Sequence, residues 1–248
     1  MTEEETAPSG EATADRRRKK PRVGGVKGFL RDLIVILVAA IIISFLIKTF
    51  LIRSFYIPSA SMEPTLVQYD RIIVNQLVPD IMPMEHGDVV VFKDPGGWLS
   101  SVPEPDQNPV QEGVDFVLSL VGLTAPDSND HLIKRVIGMP GDRVVCCNEF
   151  GQMTINDVPV DEPYISAPGD PSRLDFDVTV PPDKLWVMGD NRGNSEDSRY
   201  HQDGPGRGFV PYDNVVGRAI LISWPIDRWT WLDNYPNVFR GIETEGAQ

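Results

Sequence analysis

His131-Leu132-Ile133-Lys134-Arg135-Val136-Ile137-Gly138-Met139-Pro140-Gly141-Asp142-Arg143-Val144-Val145-Cys146-Cys147 holds two β-branched runs, 132–137 and 143–147, divided by a glycine-proline-glycine turn. Short runs of this composition between turn signals read as strands. Working outward, the same grammar recurs at 71–75, 88–92, 185–188 and 219–224. Residues 152–160 read as a hairpin turning at Asn156-Asp157. The expected fold is therefore mainly β, an antiparallel sheet. Residues 94–130 break the pattern, being rich in Pro, Gly, Asp and Ser apart from an apolar patch at 114–123. They read as an insertion or long surface loop with one short helix.

The N-terminal end is of another kind. Residues 1–15 lack any apolar side chain large enough to pack, apart from Met1, and read as disordered. A basic cluster follows (Arg16, Arg17, Arg18, Lys19, Lys20, Arg22, Lys27 and Arg31), and then the apolar run 33–47. Phe29 and Leu30 lengthen that run on one side, and Phe50, Leu51 and Ile52 on the other, with Lys48 able to snorkel. A transmembrane helix over 29–52 suits the roughly 20 residues that a span needs. A cleaved signal peptide is the rival reading, but residues 48–53 offer no small-x-small cleavage site. The expected organisation is a basic cytoplasmic tail (1–28), one helix across the cell membrane (29–52) and an extracytoplasmic domain (53–248). The positive-inside rule sets that orientation.

The formal net charge is −13, and residues 1–53 hold 10 of the 23 basic but only 6 of the 36 acidic side chains. The remainder carries 13 basic against 30 acidic side chains, a formal −17. An acidic domain argues against a nucleic-acid partner. The two cysteines, Cys146 and Cys147, are adjacent, and pairing neighbours departs from ordinary bridge geometry. They read as strand residues facing opposite sides, one of them buried. No spaced Cys or His pair suits zinc.

Three segments carry candidate chemistry. In 57–66, Ile-Pro-Ser-Ala-Ser-Met-Glu-Pro-Thr-Leu, two prolines stiffen the chain around Ser59 and Ser61. In 134–142 a lysine lies inside an apolar strand ahead of a tight turn. In 189–199, Gly-Asp-Asn-Arg-Gly-Asn-Ser-Glu-Asp-Ser-Arg, a polar run follows an apolar strand. Taken singly, these have plain readings as a solvated serine, a wet-face lysine and a satisfied polar loop.

In series, the three segments and the strand Gly87-Asp88-Val89-Val90-Val91-Phe92 closely resemble the bacterial type I signal peptidases, over about residues 30–93 and 131–224. The chain departs at Leu132, where some relatives carry an aromatic residue. The resemblance implies a membrane-bound serine endopeptidase that removes signal peptides from exported preproteins, cleaving after small residues at −1 and −3. It implies Ser61 as nucleophile and Lys134, held neutral, as general base. It assigns the oxyanion hole to the Ser59 hydroxyl and the Ser61 backbone N–H. Ser195 is to bond and orient the lysine amine, and Asp197 and Arg199 are to form a supporting ion pair. Asp190 has a structural part. No metal or organic cofactor is implied, and the oligomeric state is left open.

The residues offer two independent supports. Met62 and the strand around Lys134 supply an apolar wall that disfavours an ammonium ion. Nine residues separate Ile52 from Ser61, at most about 30 Å of chain. The nucleophile is thus tethered near the outer membrane surface, where Phe55-Tyr56-Ile57 is expected to touch lipid, and the peptide is expected to lie extended beside a strand edge. Rival classes are a hydrolase based on His86, His131 or His201, a self-cleaving Ser/Lys repressor, and a non-enzymatic membrane-anchored β domain acting as tether or assembly factor. The first lacks a nucleophile-elbow pattern, and the second calls for a DNA-binding segment and no anchor.

Overall fold

The computed structural model describes residues 26–99, 130–167 and 169–242. The chain divides into two units, Met1–Ile43 and Ser44–Gln248. Helix α1 (Val26–Phe50) has 25 residues, about 38 Å at 1.5 Å per residue, against a hydrocarbon core of about 30 Å. Its stretch Gly28–Ile47 has the length and composition of a membrane span. It is apolar on every side: Ile34, Val35, Ile36 and Leu37, consecutive and so spread around the whole axis, are all exposed. The helix stops at Phe50 rather than reaching 52, because Ile52 opens strand β1 (Ile52–Tyr56) and pairs with Asn75. Most of the basic tail 1–28 and most of the 94–130 segment, its apolar patch included, lie outside the described residues.

The second unit is built on β1, β2 (Arg71–Asn75), β3 (Val89–Lys93), β4 (His131–Gly138), β5 (Arg143–Cys146), β6 (Thr154–Ile155), β7 (Val158–Pro159), β8 (Phe176–Thr179), β9 (Lys184–Met188), β10 (Val210–Pro211), β11 (Val215–Trp224) and β12 (Thr230–Trp231). An eight-stranded sheet runs β1-β2-β11-β3-β4-β9-β10, with β12 also on β11, and a four-stranded sheet runs β7-β6-β5-β8. The strand pairs within both sheets are antiparallel, so the mainly-β antiparallel reading holds. The hairpin turns at Asn156 and Asp157, whose φ angles of 51° and 63° suit a two-residue turn between twisted strands. Strands β1, β8, β10 and β12 carried no clear sequence signal.

Strand β3 is buried on both faces. Val89 and Val91 join a cluster with Phe55, Ile57, Met62, Ile72 and Ile133. Val90 and Phe92 join another with Val136, Leu185 and Val187. A strand sandwiched in this way reads as an unbroken apolar run rather than an alternating one. Phe55 and Ile57 are buried, which corrects the expected lipid contact there. Pairing with β2 turns these alternate residues inward, as the two-residue period of a strand requires. The cysteines also differ from expectation. Their sulfurs are bonded to each other, and both pack on the cluster between the sheets. β5 ends at Cys146, so strand alternation does not govern Cys147.

Candidate active site

The register of β4 creates the site. Arg135 pairs with Met188, the last residue of β9. The next β4 residue toward the N-terminus, Lys134, therefore lies past the end of β9, beside the loop 189–199. Consecutive strand residues point to opposite faces, so Lys134 and Arg135 diverge although both are buried.

Lys134, only 3% exposed, donates from Nζ to Ser61 Oγ at 2.9 Å and to the Ile133 carbonyl at 2.9 Å. Burial lowers its pKa to about 8, against the pull of the Asp197 and Asp190 carboxylates. A hydroxyl touching such an amine can exchange a proton with it near neutral pH. Ser59 Oγ lies 3.2 Å from Ser61 Oγ. The serine loop is anchored from within by Met62 and Leu66, both fully buried. From outside, Asn191 donates its backbone N–H to the Ser61 carbonyl and its side-chain amide to the Ala60 carbonyl, both at 3.0 Å.

The loop 189–199 is tied by a buried ion pair. Arg199 donates to Asp197 from Nε and Nη2, each at 2.8 Å, and the Gly189 N–H adds a bond at 3.0 Å. Burial alone pushes the Asp197 carboxyl up, but these bonds hold it below the usual carboxylate range. Gly189 has no room for a side chain, since a Cβ would collide with Ser195 Oγ and the Ser61 carbonyl. Ser195 is thus brought to the Ser61 loop, yet its buried hydroxyl has no hydrogen-bond partner. The expected bond from Ser195 to the lysine amine is not formed in this structure.

Several supporting residues escaped the sequence reading. Arg135 forms a two-pronged pair with Asp190 at 2.8 and 2.7 Å, and Thr65 donates to the same carboxylate. Arg192 pairs with buried Glu162 and holds the Gly189 and Pro171 carbonyls. The adjacency of Lys134 and Arg135 was the available signal, because a buried strand cannot place two such side chains without partners. The histidines are engaged elsewhere: His86 with Asp142 at 2.6 Å, His131 with Asp130, and His201 stacked on Trp98. Among the described residues, no group of three His, Cys, Asp or Glu is placed to hold a metal ion.

A serine hydroxyl on a buried, weakly basic lysine, carried within an antiparallel strand just past the end of its neighbour, is the arrangement of a Ser/Lys hydrolase. Residues 30–224 match the family model described as signal peptidase, peptidase S26. Signal peptidase I of Mycobacterium tuberculosis is 37% identical, over 91% of this chain and 83% of its own. A probable signal peptidase I of Mycobacterium leprae is 40% identical, over 70% of this chain and 68% of its own. The probable signal peptidase I-2 of a Synechocystis strain is 37% identical, over 77% and 72%. A crystal structure of a signal peptidase I from Enterococcus faecalis overlaps 54% of this chain and 95% of its own at 24% identity, with a TM-score of 0.34, too slight an overlap to bear on the fold. The chain belongs to the signal peptidase family, peptidase S26, as its motifs implied.

Proposed function

We propose that this chain is a membrane-anchored serine endopeptidase that removes signal peptides from exported preproteins, with Ser61 as nucleophile and Lys134 as general base. One observation carries the reading: the 2.9 Å contact between Lys134 Nζ and Ser61 Oγ, made by a lysine whose pKa burial has lowered to about 8. A tether has no use for such a contact, which favours the enzyme over the non-enzymatic alternative.

The neutral amine takes the Ser61 proton as Oγ attacks the scissile carbonyl. The carbonyl oxygen becomes an oxyanion that the Ser61 backbone N–H and the Ser59 hydroxyl stabilise. On collapse, the lysine ammonium returns its proton to the departing amine, which is the new N-terminus of the mature protein. The signal peptide remains as an ester on Ser61. Water then attacks that ester, Lys134 again taking the proton; on collapse the ammonium returns that proton to the leaving Ser61 Oγ, and the released peptide acid ionises to its carboxylate in solvent. Asp197 and Arg199 hold the loop that closes the site. Ser195, unpartnered in this structure, turns its hydroxyl to the amine once substrate is bound. Specificity for small residues at −1 and −3 follows from family membership.

The reading extends to topology and lipid. The basic N-terminal tail stays in the cytoplasm, α1 spans the membrane, and residues from 53 onward work outside. Lipid contact, misplaced at Phe55 and Ile57, passes to the exposed Trp224, Ile226, Trp229 and Trp231. Tryptophan, apolar with one polar handle, suits the boundary between headgroups and hydrocarbon. The test is processing of a preprotein by the purified full-length chain and by Ser61→Ala. Wild-type cleavage at the small-x-small site, absent from the variant, is expected. Cleavage by Ser61→Ala would overturn the reading.

A further inference from the structure

The Arg135 guanidinium is caged on every side. Besides its pair with Asp190, Nη1 donates to the Gly87 carbonyl at 2.6 Å and to the Asp233 carbonyl at 3.1 Å. The Tyr164 ring covers one approach, its centroid 4.2 Å from the guanidinium carbon, and Tyr235 another at 5.3 Å. The two rings meet with centroids 5.1 Å apart at an angle of 47°. Asp233 and Tyr235 belong to a segment beyond the family match, which ends at 224.

That segment is firmly seated. The Tyr235 N–H donates to Asp233 Oδ1 at 2.7 Å, and the Val238 N–H to the Tyr235 carbonyl at 2.9 Å. Phe239 is buried and stacks on His86. The Asn234 carbonyl fills the space that a side chain on Gly87 would need. From the cage the contacts run to the nucleophile. Arg135 holds Asp190, Asp190 accepts from Thr65 four residues past Ser61, and the adjacent Asn191 holds the Ser61 and Ala60 carbonyls.

We propose that the segment 233–239 is a positioning element for the Ser61–Lys134 pair: Tyr235, with Tyr164, locks the Arg135 guanidinium in the plane of the Asp190 carboxylate and so holds the nucleophile loop within reach of the lysine. The inference rests on the Ser61/Lys134 assignment above. Arginine has five donors and a long stem, so one carboxylate alone leaves its plane free to tilt. Aromatic faces fix that plane and keep water out, and a desolvated cation makes the contact stronger. A loosened Asp190 also acts on chemistry. The charged groups bearing on Lys134 are Asp197, Asp190 and Arg199 from the loop 189–199, with His201 just beyond it. Asp190 released from Arg135 pulls harder on the ammonium form, so the activity profile moves to higher pH.

The experiment uses the full-length protein in detergent with a preprotein substrate, and compares Tyr235→Leu, Tyr235→Phe and Ser61→Ala. Tyr235→Leu is expected to lower kcat about tenfold, leave KM unchanged and raise the midpoint of the pH profile. Tyr235→Phe, which keeps the ring, is expected to restore both. Wild-type kcat and pH midpoint in Tyr235→Leu would overturn the proposal. So would a loss that Tyr235→Phe does not repair, or one confined to KM. If Tyr235→Leu fails to fold, Tyr235→Met keeps the bulk without the ring, and the same outcomes apply. Cleavage by Ser61→Ala would instead remove the dyad assignment itself, so the two failures are distinguishable.

Discussion

Lys134 answers two opposed demands. Burial disfavours its charged form, while Asp197 and Asp190 favour it, and burial wins, leaving a pKa of about 8. Relative to an ordinary 10.5, the difference corresponds to about 3 kcal/mol of bias against the ammonium. The sign is fixed by linkage. Between about 8 and 10.5 the unfolded chain binds a proton that the folded chain does not, so stability rises with pH across that window. Below about 8 the full penalty is present. Lys134→Met is therefore expected to be inactive yet more stable than wild type at neutral pH by up to about 3 kcal/mol, as read from denaturant midpoints. Lys134→Arg is expected to be inactive too, and less stable, since guanidinium does not deprotonate. Wild-type activity should rise with pH through about 8; an active Lys134→Arg enzyme would end the dyad assignment. Ser59 makes a separate case. If its hydroxyl donates to the oxyanion, Ser59→Ala should lower kcat by about 10²–10³, with Ser59→Thr milder, and an unchanged rate would leave it a spacer.

At the scale of elements, the site depends on where β9 stops and on how the loop 189–199 is tied down. The Asp197–Arg199 pair is fully buried, so removing one partner strands the other charge. Asp197→Ala is expected to cost about 3–5 kcal/mol, measured by chemical denaturation. Ser195→Ala removes a hydroxyl without a partner, so its stability should stay near wild type while kcat falls. A large loss of stability there would mean that the hydroxyl is bonded in the resting enzyme. These elements were unevenly legible. β3 and β9 stood out because doubly buried strands leave unbroken apolar runs, and in β4 Lys134 was conspicuous for interrupting one. The Asn156-Asp157 turn carried its own local chemistry. β1 was hidden because its first residue, Ile52, continues the apolar run of α1, and only pairing with β2 separates them. The cage around Arg135 was invisible in sequence, since Gly87, Tyr164, Asp190 and Tyr235 meet there from four distant segments. Long-range partners leave no local periodicity.

At the scale of the whole molecule, the described strands and the three buried clusters lie in the unit Ser44–Gln248. A chain lacking residues 1–50 keeps β1 whole and is expected to fold and to cut peptides. Starting at residue 54 would remove Ile52 and Arg53 from their pairing with Asn75 and Val74 and weaken the edge. The truncated chain also isolates the question of lipid contact. Trp224, Trp229 and Trp231 are 56%, 51% and 63% exposed, and the rings of Trp229 and Trp231 meet edge to face at 6.0 Å. Ile226 stands beside them in the chain, 72% exposed. Soluble domains rarely leave such a patch without a surface to meet. Transferring the exposed half of one tryptophan out of water is worth about 2 kcal/mol. Trp229→Ala in the truncated chain should then weaken partitioning onto phosphatidylcholine vesicles by at least about tenfold, with Trp231→Ala similar and both together far more. These side chains are exposed, so their loss should leave the fold and the rate on soluble peptide unchanged, and only the stimulation by vesicles should fall. Equal vesicle binding by the truncated chain and its doubly substituted variant would remove the tryptophans from the membrane surface.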